Sequence, residues 1–177
     1  SKLFRIPGNR KLADNLYRNS VVTAHAVRQV SHAVSVDEDH AFLAGLIHDL
    51  GRIVIHTAAA DVHRMSKGRL QPTLSSIHNL AAEIAPTLSA LIAETWNLDP
   101  AVVTAVEWQN FPAGAPPATI QLTASLHDGK ILAGQLTNNE VADDETLLIE
   151  LDEVSVIEFE KALSEFDDII RTSVVAA

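Results

Sequence analysis

The sequence predicts an all-α fold, and three observations carry that prediction. Apolar residues recur at steps of three or four between residues 12 and 33, which places them on one helix face. Two segments, at Ser35 and Ser155, open with the Ser-x-x-Glu pattern that satisfies orphan N–H groups at a helix start. There is no period-2 hairpin, fixed-period repeat or long linker. With 177 residues and 47% apolar composition, the chain is long enough to bury a core as one domain spanning 1–177.

The first helix carries Leu12, Leu16, Asn19, Val22, Ala26, Val30 and Ala33 on one face, with Asn19 its polar member. The second opens at Ser35-Val36-Asp37-Glu38 and runs through Phe42, Leu43, Leu46, Ile47, Leu50, Ile53 and Val54. These populate more than one face, as expected of a helix central to a core. Gly45 and Gly51 signal close packing or a bend within it. Arg52-Ile53-Val54-Ile55-His56 also reads as a short strand, because brief apolar runs are ambiguous.

Further along, Pro86 suits the first turn of a helix running to Trp96. Asp99-Pro100 is an N-cap followed by Pro at the first helical position, opening a helix to about Trp108. Phe111–Pro117, with three prolines and a glycine, is a loop. A helix follows through Leu122 and Leu126, with Gly129 a weak point. Ser155-Val156-Ile157-Glu158 starts a last amphipathic helix bearing Phe159, Leu163, Phe166 and Ile170. Trp96 and Trp108 are expected to anchor the core.

Composition excludes several function classes. No cysteine is present, so disulfides and thiolate metal sites are ruled out. No apolar run reaches the ~18 residues of a membrane span, which predicts a soluble chain. The chain opens on Ser1, without Met or an apolar signal core, as a processed chain or a fragment would. Net charge is −10 and unevenly spread: residues 1–30 hold six Lys/Arg against Asp14, while residues 140–168 hold twelve acids against Lys161. An acidic surface repels phosphate backbones, so no nucleic-acid partner is expected. The acidic stretch reads as a solvated helix face or as a docking surface for a basic partner. No P-loop, nucleophile elbow, His-Glu-x-x-His or dinucleotide glycine fingerprint occurs.

The informative segment is Ala41-Phe42-Leu43-Ala44-Gly45-Leu46-Ile47-His48-Asp49-Leu50-Gly51-Arg52. It resembles the "aFLAGLLHDIGK"-like stretch of the HD-related output domain family within the HD superfamily. Leu16-Tyr17-Arg18-Asn19-Ser20 is similar to that family's "LWxHS" helix. Glu94-Thr95-Trp96-Asn97-Leu98-Asp99-Pro100 is similar to its "ERWGLP" turn. The three segments fall in the family's order, and the resemblance covers roughly residues 12–165. It implies a bacterial, cytoplasmic regulatory domain built as an orthogonal helical array. The family's N-terminal helical subdomain is not seen ahead of residue 12.

In catalytic HD proteins, imidazoles and carboxylates from separate helices hold divalent cations that activate water on phosphate esters. The resemblance implies a ligand order of His, then His-Asp, then Asp. This chain keeps the middle pair, His48 and Asp49. Asn19 stands where the first His is expected, and Ser125 where the closing Asp is expected. The family's further His aligns with Ala85. Trp108-Gln109-Asn110 takes the place of the His-His-Glu run of cyclic-dinucleotide phosphodiesterases of the HD-GYP type. An amide replaces imidazole poorly on a transition metal, so no metal and no cofactor are expected. Manganese, iron or magnesium on His48 and Asp49 is the fallback.

The remnant site is therefore Asn19, His48, Asp49 and Ser125, with the pair read either as a residual metal or phosphate contact or as a buried, hydrogen-bonded polar pair. His127-Asp128 is a second His-Asp pair, expected to be exposed beside Gly129. His25 and His32, seven apart, share a helix face and read as surface or packed imidazoles. Three functions stay open. One is a non-catalytic output module that binds a protein partner or a fused signalling domain. The second is a metal-dependent phosphohydrolase. The third is a nucleotide or anion sensor without turnover.

Overall fold

The structure, a computed structural model, describes residues 6, 9–136, 147–149 and 161. Its regular elements are α1 (Arg10–Ala33), α2 (Glu38–Ile47), α3 (Leu50–Met65), α4 (Leu74–Thr95), α5 (Pro100–Glu107), a 3₁₀ turn at Pro112–Gly114 and α6 (Ile120–Leu136). No strand occurs among the described residues, so the fold is all-α. The segment Arg52–His56, ambiguous in sequence, is helical within α3. The Ser155 capping box and the final amphipathic helix lie, Lys161 apart, outside the described residues.

Helix α1 is the spine. It packs against α2 on one side and α6 on another, while α2 and α6 also meet each other and α5. Helices α3 and α4 form an antiparallel pair, joined to the rest where α4 meets α5. The main core gathers Leu16 and Val27 from α1, Ala44 and Ile47 from α2, Val102 and Val106 from α5, and Leu122 and Leu126 from α6. Leu126 is fully buried, a burial that stabilises by roughly 1.5–3 kcal/mol.

Two glycines set the closest helix contacts. At Gly45, an added Cβ would lie 2.6 Å from the Ala24 Cα, so α2 lies against the backbone of α1. At Gly51, a Cβ would overlap the Ala85 carbonyl of α4. The buried face of α4 there is Ala81, Ala85, Ser89 and Ala93, a small residue every fourth position. Small side chains on one helix and glycine on the other let the two backbones approach.

Four expectations are corrected. The apolar helix read from residue 38 through Val54 is two helices, broken at His48-Asp49. The cap of α2 is Asp37, whose carboxylate accepts from the His40 N–H at 2.8 Å. Ser35 instead sits at φ +54°, a left-handed conformation in the α1–α2 turn that no N-cap adopts. Pro86 lies inside α4 rather than in its first turn. That helix starts twelve residues earlier, at a box in which Thr73 and Ser76 cap each other's N–H groups. Trp96 is exposed, not a core anchor, and Trp108 is only partly buried.

The Trp96 segment has a different task. Asn97 takes φ +56°, its N–H bonds to the Glu94 carbonyl at 2.8 Å, and the Leu98 N–H bonds to the Ala93 carbonyl at 3.1 Å. This pair of bonds is the Schellman ending, which needs a left-handed residue after the cap. Asp99 then caps α5 through the Ala101 N–H at 2.8 Å, with Pro100 at the first helical position. One short turn stops α4 and starts α5, as the Asp-Pro pattern predicts.

Candidate functional site

The His-Asp pair sits at the elbow between α2 and α3. Asp49, at φ −112° and ψ 12°, leaves helical geometry just enough to redirect the chain. Such a break frees backbone groups that need partners. The freed carbonyl of His48 accepts from the Ser89 hydroxyl at 2.9 Å and from the Gln109 side-chain amide at 3.0 Å. The Gly51 N–H in turn donates to the Ser89 oxygen at 2.8 Å. Gln109 also donates to the Val106 carbonyl at 2.9 Å. Ser89 and Gln109 are both buried, so α4 and the turn after α5 grip the elbow through polar side chains inside the core.

The two side chains of the pair point to separate partners. His48 is buried, and its Nδ1–H donates to the Gly45 carbonyl at 2.7 Å, leaving Nε2 as the nitrogen with the free lone pair. Burial pushes its pKa down to about 4; Asp49 opposes the shift, while Lys130 and Arg52 add to it. The imidazole is therefore neutral at physiological pH. Asp49 accepts from the Arg52 guanidinium at 3.0 Å, its own side chain 10% exposed. One turn on, His56 is also held below its usual range, first by burial and then by Arg52.

Of the other two remnant positions, Asn19 is half-buried on α1 and Ser125 is buried on α6. Both helices pack against α2, which ends at His48. The Ser125 hydroxyl turns back to the Gln121 carbonyl of its own helix at 2.9 Å. Among the described residues, no three His, Asp or Glu side chains converge as a metal centre. A divalent cation needs several convergent ligands. Here the one carboxylate of the pair already neutralises a guanidinium, so the residues do not fit the metal that the HD resemblance implies.

His127 and Asp128 overturn the expectation of an exposed pair. Asp128 is completely buried and His127 partly so. Its carboxylate accepts from the backbone N–H groups of Leu148 and Ile149. His25 and His32 lie towards α2: His25 meets Phe42 edge-on at 5.2 Å, and His32 faces Glu38 at 3.1 Å.

Ser89 carries no motif, yet it is central to the elbow. Its signal was the small-residue period on α4, in which one polar member stands among alanines. Gln109 stood out only as a departure from a ligand run, whereas its amide is a structural donor. A family model described as "HDOD domain" matches residues 2–112. No curated protein and no solved structure matches the chain.

Proposed function

We propose a function from one premise: this chain belongs to the HDOD family, an HD-related signalling-type domain. We infer that it is a non-catalytic output module that acts by binding a protein partner or a fused signalling domain in the cytoplasm. The observation that carries this reading is the Arg52–Asp49 ion pair at 3.0 Å. A guanidinium holds the carboxylate that a metal centre would need. The lack of three convergent ligand side chains among the described residues points the same way. In this reading the remnant positions Asn19, His48, Asp49 and Ser125 serve the core and the elbow rather than a reaction.

The test is a comparison of wild type with Asp49→Ala, both purified from manganese-supplemented culture. Metal content is measured, and nucleotides and cyclic dinucleotides are offered as substrates with added manganese. The expected result is sub-stoichiometric metal and no turnover in either protein. Stoichiometric metal, or turnover lost in a folded Asp49→Ala protein, would replace this reading with a phosphohydrolase. The double variant Asn19→His, Ser125→Asp should raise manganese affinity if those positions are the outer ligand sites.

A further inference from the structure

Asp128 is a completely buried carboxylate that the HD-type site does not use. It lies on α6, beyond residue 112, where the family match ends. Buried carboxylates are tolerated when charged hydrogen bonds satisfy them. Here the partners come from a segment remote in sequence. The Leu148 N–H lies 3.0 Å and 2.9 Å from the two carboxylate oxygens, and the Ile149 N–H lies 2.7 Å from Oδ2. The neighbouring His127 completes the set, its Nδ1 2.9 Å from Oδ1.

The side chains around these bonds alternate. Leu147 and Ile149 pack on a small apolar cluster of α1 and α6, made of Val22, Ala26, Val30, Leu132 and Ala133. Leu148 between them is 57% exposed. Recognition thus reads two consecutive backbone N–H groups and an apolar–any–apolar pattern. Neither requirement depends on the identity of residue 148. We infer that Asp128 and the α1–α6 apolar face form a binding site for a short turned chain segment that presents two consecutive N–H groups, filled in cis by Leu147–Ile149 as a releasable strap. Release of the strap uncovers the apolar face. This inference is independent of whether the His48–Asp49 elbow is catalytically idle.

The experiment is amide hydrogen exchange on the full chain, read at Leu148 and Ile149, beside helical circular dichroism and binding of an apolar dye. In wild type the two amides should exchange roughly a hundredfold or more slower than free amides, as charged-group hydrogen bonds require. Asp128→Asn replaces the charged acceptor with a neutral amide that keeps one oxygen, and should speed exchange at both amides. Leu148→Pro deletes the first N–H at a position whose side chain is exposed, and should release Ile149. Leu148→Ala keeps the N–H and should behave as wild type. Released variants should bind more dye with unchanged helicity. Free exchange at both amides in wild type, or full protection surviving in Asp128→Asn, would overturn the inference. Should Asp128→Asn fail to fold, Leu148→Pro decides: helix content lost with the strap would make the segment part of the core, against the inference.

Discussion

His48 shows how burial, rather than chemistry, sets the state of a residue. Its pKa falls from 6.5 to about 4 because the charged form is desolvated. The unfolded chain then binds more protons than the folded one between those values, so stability rises with pH across that window. The stabilising difference is fully present above pH 6.5 and is lost as pH falls towards 4. At about 1.36 kcal/mol per unit it amounts to roughly 3 kcal/mol. His25 and His56, also lowered chiefly by burial, act with the same sign. Denaturant melts from pH 7 to pH 4 should show this slope, and His48→Gln should flatten part of it. An unchanged slope in that variant would contradict the buried, neutral imidazole. Asp49 makes the complementary case. Asp49→Ala strips Arg52 of its carboxylate and should cost ~1–3 kcal/mol, lowering Tm by ~2–4 °C for each kcal/mol. Asp49→Asn keeps one acceptor oxygen and should be milder, as paired thermal melts would show. The motif singled the pair out in sequence, and the structure places it at the α2–α3 elbow. Its hydrogen-bond partners were not legible in sequence, because Ser89 and Gln109 lie 41 and 61 residues away from His48 and carry no local pattern that links them to it.

At the level of elements, local rules were most readable where a turn is built from its own residues. Asp99-Pro100 gave the start of α5, and it does cap it. Asn97 occupies the position of the glycine in the family's "ERWGLP" turn, and its φ of +56° explains why those two residue types serve there: both tolerate the left-handed region. Rules failed where tertiary contacts override them. Gly45 and Gly51 signalled close packing or a bend, but the unbroken apolar pattern hid that the helix ends and restarts there, because both helices bury faces in the same core. Pro86 was misplaced for a similar reason: the ring costs α4 one N–H bond, and a helix anchored by its small-residue face tolerates that. The same face yields a prediction. Gly51→Ala would drive a methyl into the Ala85 backbone, and overpacking of this kind costs about 1–3 kcal/mol. A urea titration should show a lower midpoint with the m-value unchanged; equal midpoints would mean that α3 and α4 can part freely.

Across the whole molecule, the family match and the packed body do not end together. The match stops at residue 112, yet α6 carries Leu122 and Leu126 into the same core as Val27, Val102 and Val106. A chain cut after residue 117 would leave Val27, Val102 and Val106 facing water where α6 had packed and should lose its cooperative thermal transition. A chain ending at residue 136 keeps α6 and should retain helical circular dichroism and a single transition. A cooperative melt from the shorter chain would show that the matched region folds alone. The lopsided charge of the sequence is also a whole-molecule property, since the acids of residues 140–168 begin just where the described helices end.

The Ser89–Gln109 grip on the elbow bears on how such a fold can change over generations. Both side chains hold the main-chain oxygen of residue 48, and every amino acid presents that same oxygen. The bend is therefore inherited separately from whatever side chains stand upon it. A change of side chain at residue 48 therefore leaves both of these hydrogen bonds on offer.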